Sequence, residues 1–302
     1  MRRTILIISV AVICATLFSV LCLKASGPSS QTDGFLALQE GRDGQAFWPG
    51  TQSLEVDDAA VPSPAQQRIL DIRSAYDNGR LAELIGVYEK EVISRPDSAI
   101  SHFSLGYACS VATNEGVVSK AAPERNNYAC AQKELQRAIK LDPSLREAQI
   151  AWAYFLFRTG FAVKAIEQFK AFLATAPDDA EAMFWIAECF STHGEVYDAE
   201  RSAEELQKLH DQLFCESDEM CIEWLQKACK ASPNWLLPKT RLMSKYMSIA
   251  REQGKSDNVK YQEPWRGLAM EQCREIIKVA DPEKDGELLA RVTTRLAELT
   301  EN

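Results

Sequence analysis

Apolar residues recur at steps of three and four along the chain from residue 65 onward, and prolines interrupt this pattern. Ala131, Leu135 and Ala138 precede Pro143, and such steps place side chains on one face of a helix. The same spacing returns before the next proline, in Ala165, Phe169, Phe172 and Pro177. The pattern predicts pairs of amphipathic helices and therefore an all-α fold.

The interruptions follow a fixed period. Pro143 and Pro177 are 34 residues apart, and so are Gly160 and Gly194. Pro96 and Pro143 are 47 residues apart, which is one period with an insertion of 13. Self-similarity at this length is typical of a solenoid built from stacked helical hairpins.

In a 34-residue frame the chain divides into four units, 65–98, 99–145, 146–179 and 180–213. In the third unit, small, apolar and turn residues occupy the recurring positions of this frame, namely Ala153, Gly160, Ala165, Phe169 and Pro177. In the second unit they are Leu105, Gly106, Tyr128, Ala131, Leu135, Ala138 and Pro143. On these residues the chain resembles the tetratricopeptide repeat family. The resemblance implies a right-handed helical-hairpin solenoid over 65–213, with turns near Gly79, Gly160 and Gly194 and an insertion near 110–127.

Residues 214–302 continue the helical pattern less regularly. Cys221, Leu225 and Ala228 repeat the second-helix spacing, and Asp285–Leu299 has the length of a terminal capping helix. We therefore expect degenerate repeats followed by a cap.

The amino terminus predicts a membrane anchor. Residues 5–23 contain no charged side chain and would form a helix about 28 Å long, enough to cross a bilayer core. Arg2 and Arg3 precede the span, which favours a cytoplasmic amino terminus and exported repeats. The prediction is a single signal-anchor helix within 1–24, with secretion after signal cleavage as the alternative.

Residues 25–64 contain many glycines and prolines and predict a flexible tether. Phe47 and Trp48 are apolar groups that a solvated linker does not need, so docking on the body or on a partner is the alternative to a simple spacer.

The net charge of the chain and the catalytic motifs missing from its sequence reduce the number of function classes that are expected. Residues 1–24 contribute +3 to a net charge of −9, so residues 25–302 carry −12. A nucleic-acid binder needs a surplus of Lys and Arg, so that class is not expected. Only three histidines occur, and motifs of metalloproteases, phosphate loops and serine hydrolases are absent from the sequence. We predict no enzyme activity, no cofactor and no metal site.

Nine cysteines leave two readings open. In an exported protein they favour disulfides, whereas Cys109, Cys221 and Cys273 also fit packing positions as small core residues. The core reading is preferred for most of them. If a disulfide forms, Cys215–Cys221 across a short acidic loop is the pair predicted.

The family resemblance also implies a concave groove lined by the first helix of each unit. The corresponding positions are Ile69, Arg73, Tyr76, Ile100, Phe103, Tyr107, Ile150, Tyr154, Phe157, Phe184 and Glu188, with Arg158 beside them. Six of the eleven are aromatic, which favours an apolar peptide groove, although burial between neighbouring units is the alternative. Phe103 and Tyr107 stand where chaperone-tail-binding members carry lysine and asparagine, so a carboxylate clamp of that kind is not expected.

The predicted function is a protein-interaction scaffold or adaptor that binds a peptide or protein partner on the exported side of a membrane. Two alternatives remain at this point. One is an accessory factor of an envelope or secretion enzyme complex with its active surface in 214–302, and the other is a structural oligomerisation module. The sequence makes no prediction of the partner's identity or of the oligomeric state.

Overall fold

The computed structural model describes residues 48–57, 60–114, 126–191, 217–254 and 262–301. These ranges contain helices and no strand, which confirms the all-α prediction. The helices are α1 (Gln52–Val56), α2 (Pro64–Asp77), α3 (Leu81–Ser94), α4 (Ala99–Asn114), α5 (Asn127–Leu141), α6 (Arg146–Arg158), α7 (Ala162–Leu173), α8 (Ala180–Ser191), α9 (Ser217–Ala231), α10 (Leu236–Gly254), α11 (Gln262–Val279) and α12 (Gly286–Glu301).

The described ranges all fall within one compact unit, Gly41–Asn302, and a second unit is Met1–Glu40. In the described ranges, no helix has both the length and the apolar character needed to cross a membrane. The predicted span 5–23 and most of the predicted tether lie outside those ranges. The membrane anchor therefore stays a prediction.

Helices α2 to α7 form three consecutive hairpins at the places where the repeat frame predicts them. Gly79 lies in the turn between the two helices of the first hairpin, and Gly160 lies in the corresponding turn of the third. Their φ angles are +67° and +89°, which glycine adopts without steric cost. These two turns are confirmed. Helix α8 begins the fourth unit, whereas the predicted turn at Gly194 lies outside the described residues.

Local sequence signals explain where these helices begin and end. Ser63 caps α2 in a capping box with Gln66, and Pro64 occupies the first turn, where a missing backbone N–H costs nothing. Helices α3 and α5 end at Ser94 and Leu141, each two residues before a proline.

Small residues allow the paired helices to approach closely. A Cβ atom added to Gly106 would lie 2.8 Å from the backbone nitrogen of Leu135, so α4 and α5 touch at this point. Ala153 and Ala165, two of the small residues at repeat positions, are 1% and 0% exposed.

Two polar pairs cross the first two hairpins. Arg68 of α2 donates to the Glu91 carboxylate of α3 at 2.9 Å, and His102 of α4 lies 2.5 Å from the Glu134 carboxylate of α5. Arg68 and His102 stand where the family pattern has an early tryptophan. Here that position links the two helices of a unit through hydrogen bonds and charge instead of ring packing.

The helices after 216 continue the antiparallel packing. Helix α9 packs on α8 and buries Cys221, Leu225 and Ala228, the stripe that the sequence placed on a second helix. Helices α10, α11 and α12 then contact one another in order. They enclose a small separate core of Met243, Cys273, Ile276 and Val292.

The cysteines correct one expectation. Cys109 is fully buried at a packing position, yet it forms a disulfide with Cys130 on α5, with Cα atoms 6.1 Å apart. The bond joins α4 to α5 across the inserted chain, a pairing that helix spacing alone does not indicate. Cys221 is a buried thiol whose pKa burial raises to about 12. Cys215 lies outside the described residues, so the Cys215–Cys221 pairing stays a prediction.

Candidate functional site

A short segment that precedes the first repeat lies against the first helices of several units. We call residues Trp48–Gln52 the docked segment. Pro49, Gly50 and Thr51 are buried and Trp48 is half-buried. Thr51 closes a turn by donating from its side chain and its backbone to the Trp48 carbonyl. The segment thus binds with a defined conformation.

The Trp48 ring lies between two tyrosines that the sequence assigned to the groove. It stacks on Tyr107 of α4 at a centroid distance of 6.3 Å and meets Tyr76 of α2 edge-on at 5.9 Å. Both are favourable arrangements of aromatic quadrupoles. The Tyr107 hydroxyl donates to the Pro49 carbonyl at 3.0 Å. Burial raises the pKa of Tyr107 well above its ordinary value, and Tyr154 and Glu181 raise it further. The hydroxyl therefore keeps its proton and remains a donor.

Gly50 connects the segment to α8. Its backbone N–H donates to the Glu181 carboxylate at 2.6 Å, although 131 positions separate them. Glu181 is fully buried, and it also accepts from Arg146 at 2.9 Å. Burial raises the pKa of Glu181, the Arg146 charge opposes that shift and nearby Asp179 adds to it, with a net increase. The bidentate pairing of Arg146 with Asp179 orients the guanidinium.

Two further side chains hold the segment at its ends. Gln66 of α2 donates to the Gly50 carbonyl at 3.2 Å and to the Ser53 hydroxyl at 2.9 Å. Gln52 donates to Ser232, which follows α9, at 3.1 Å. We call Gln66, Tyr76, Tyr107, Glu181 and Ser232 the segment-binding surface.

The predicted groove residues differ widely in exposure. Phe103, Ile150, Phe184 and Glu188 are 0%, 0%, 0% and 1% exposed, and Tyr107 and Phe157 are 3% and 8% exposed. For these six, and for Ile69 at 0% exposed, an open groove is wrong and the alternative of burial between neighbouring units holds. Neighbouring helices cover them, as where Phe184 meets Trp235 at 5.2 Å and Glu188 pairs with Arg241 at 3.5 Å. The docked segment covers Tyr107.

Five predicted groove residues remain half-buried, namely Arg73, Tyr76, Ile100, Tyr154 and Arg158. Tyr154 and Arg158 lie one turn apart on α6, and the Arg158 guanidinium donates to the Tyr154 hydroxyl at 3.2 Å. Tyr154 packs against Trp185 of α8 with ring centroids 4.5 Å apart. Tyr154 and Arg158 therefore form a half-buried patch on α6.

Several residues of this site were not singled out by the sequence reasoning, above all Gly50, Gln66, Arg146, Glu181 and Trp185. One signal was available for Glu181, because it is an acidic residue at the start of an otherwise nearly all-apolar helix. The docking of Trp48 agrees with one of the two roles considered for the apolar residues of the tether.

In the part of the chain that the structure describes, no group of three or more His, Cys, Asp or Glu side chains could hold a metal ion.

Residues 151–212 match the family model described as tetratricopeptide repeat. No curated protein matches the chain. Among solved structures, MamA 41-end from Desulfovibrio magneticus RS-1 is 18% identical, with 71% of this chain and 98% of that chain covered and a TM-score of 0.43. A structure titled crystal structure of MamA protein is 14% identical, with coverages of 71% and 94% and a TM-score of 0.44. Residues 151–212 therefore carry tetratricopeptide repeats within an array of helical hairpins, a fold that supports a protein-interaction scaffold.

Proposed function

We propose that the first helices of this scaffold bind a short segment of a protein partner in a turn conformation. The observation that carries the proposal is the docked segment itself. The surface accommodates a turn of chain through one aromatic contact, a hydroxyl donor to a main-chain carbonyl and a carboxylate acceptor for a main-chain N–H. These are the contacts that peptide-binding proteins use for affinity and register.

The half-buried patch of Tyr154 and Arg158 is the part of the same helix face that we assign to the partner. A tyrosine supplies contact area at low entropic cost, and an arginine binds a carboxylate with two parallel hydrogen bonds. Tyr154 packs on Trp185, so its ring is held in place before a partner arrives. A preorganised side chain loses less entropy on binding.

The membrane location is part of the proposal. We propose that residues 5–23 anchor the chain with its amino terminus in the cytoplasm and its repeats exported. The Cys109–Cys130 disulfide supports an oxidising compartment, because such bonds rarely persist in the cytosol.

Partner capture tests the binding role. The full chain is crosslinked in membranes, extracted and purified as wild type, as Tyr154→Ala with Arg158→Ala, and as Val87→Ala. Val87 is 56% exposed on the second helix of the first unit, so it serves as the matched surface control. We expect the double variant to lose the specific partner while its helicity and melting temperature stay close to wild type. Equal capture by all three proteins would contradict the proposal.

Topology is tested separately. A reporter fused after residue 60 should report the exported side of the membrane. The isolated protein should contain the Cys109–Cys130 bond, and Cys130→Ser should cost about 3 kcal/mol of stability from the loop that the bond closes. A cytoplasmic signal from the reporter would overturn the location.

A further inference from the structure

The docked segment has the properties of a bound ligand. It lies before the first hairpin and belongs to none of the helical pairs, yet it contacts α2, α4 and α8 together. We infer that the segment-binding surface recognises peptides with an aromatic–Pro–Gly sequence in a turn conformation, and that Trp48–Gln52 is a tethered occupant which such a peptide must displace. The inference rests on the proposed function and names the class of ligand.

The first ligand position requires an aromatic ring. Trp48 fills the space between Tyr76 and Tyr107. An aliphatic side chain would lose both ring contacts, which contribute beyond the area that they bury.

The second position suits proline. The Pro49 carbonyl accepts a hydrogen bond from Tyr107, and proline keeps this acceptor although it lacks an N–H. The fixed φ of proline lowers the entropy lost on binding.

The third position requires glycine. Gly50 has a φ of +95°, and a Cβ atom there would lie 2.8 Å from the Ile69 side chain. Its N–H meets the buried Glu181 carboxylate. Any other residue would be strained at this φ and would require the Ile69 side chain to shift, and proline would also leave a buried acceptor without its donor.

The tether determines how strongly the chain's own segment competes. About ten residues connect it to α2, and the first four of them belong to α1. A short link of this kind gives an effective concentration on the order of millimolar. A free peptide with an intrinsic Kd of about 10 to 100 µM would therefore bind the intact chain about 10 to 100 times more weakly than a chain with the surface vacated.

A labelled peptide of residues 45–57 provides the probe, with binding measured by fluorescence anisotropy. The proteins are the full chain, the full chain with 47–52 replaced by six Gly and Ser residues, and Val61→Ala as a control, since Val61 is 89% exposed. We expect the replaced chain to bind about 10 to 100 times more tightly than wild type and Val61→Ala to match wild type. Peptides with Trp48→Ala or Gly50→Ala should not bind. Tyr107→Phe in the replaced chain should weaken binding several-fold through loss of one hydrogen bond.

Three results would overturn the inference. These are equal binding by the replaced and wild-type chains, unchanged binding by the Gly50→Ala peptide, and failure of the replaced chain to fold, which would make the segment an integral part of the core. Partner capture that depends on Tyr154 and Arg158 would survive each of these results. The failure of this inference is therefore distinguishable from failure of the proposed function.

Discussion

Helices α8 and α12 belong to one chain but use their surfaces in different ways. Residues Ala180–Phe190 of α8 are all buried, including the two glutamates in that run. In α12 only Val292 is buried, although the helix is four residues longer. Helix α8 contacts α6, α7 and α9 and also receives the Gly50 N–H, whereas α12 packs on α11 at the end of the array.

This difference shows how position in the array determines burial. A first helix in the middle of a repeat array is covered by its own partner and by both neighbouring units, so its polar residues must find partners inside the protein. A helix at the end of the stack has fewer neighbours and keeps the ordinary amphipathic pattern of a surface helix.

The largest expected effect comes from truncating a ring in α8. Phe184→Ala should cost about 3–5 kcal/mol, because Phe184 is fully buried between Trp185 and Trp235 and a cavity would remain. Leu296→Ala in α12 should cost less than half as much, because Leu296 is only partly buried. Chemical denaturation followed by circular dichroism measures both. Equal costs would show that the end of the array is as tightly packed as its centre.

Replacing glycine by alanine at two positions should change the stability of the fold in opposite directions. Gly106→Ala should destabilise by about 1–3 kcal/mol, because the new Cβ would meet the Leu135 backbone at 2.8 Å. Gly267→Ala in α11 should stabilise by about 0.5–1 kcal/mol, since nothing lies within 4 Å of the added carbon and alanine favours the helix. Thermal unfolding of the two variants distinguishes these cases. Destabilisation by Gly267→Ala would mean that the second region is as closely packed as the first.

The smallest effect concerns the charge that α8 buries. The pKa of Glu181 in the folded protein lies above its ordinary value of 4.5, so the folded state binds its proton more tightly than the unfolded state. The contribution of Glu181 to stability is therefore fully present below pH 4.5 and falls as pH rises through its folded pKa. The stability of wild type relative to Glu181→Gln should decline over that window. A difference that rises with pH would show that the Arg146 charge outweighs burial.

Much of the helical framework could be predicted from the sequence, for local reasons. Steps of three and four indicate a helical face, glycines at 79 and 160 supply positive φ angles, and prolines follow the helix ends. Gly106 likewise marks a close approach of two helices because no larger residue fits. Each of these signals acts within one hairpin, so the order of residues is sufficient to reveal it.

The candidate site could be predicted only in part. The repeat frame correctly brought Tyr76 and Tyr107 to one surface, but it placed Phe103, Phe184 and Glu188 on an exposed face where the structure buries them. A first helix presents one side to its hairpin partner and another to the next unit. The sequence pattern cannot tell a side covered by a neighbouring unit from a side left open to solvent.

The sequence by itself determined the helices, their turns and the repeat period, because these depend on contacts within about 34 residues. Tertiary structure alone decided that Gly50 meets Glu181 across 131 positions and that Phe184 meets Trp235. Such contacts form when stacked units bring distant residues together, and many arrangements of a chain are compatible with the same local pattern. Stacking selects the one that buries the apolar faces and satisfies the polar groups enclosed with them.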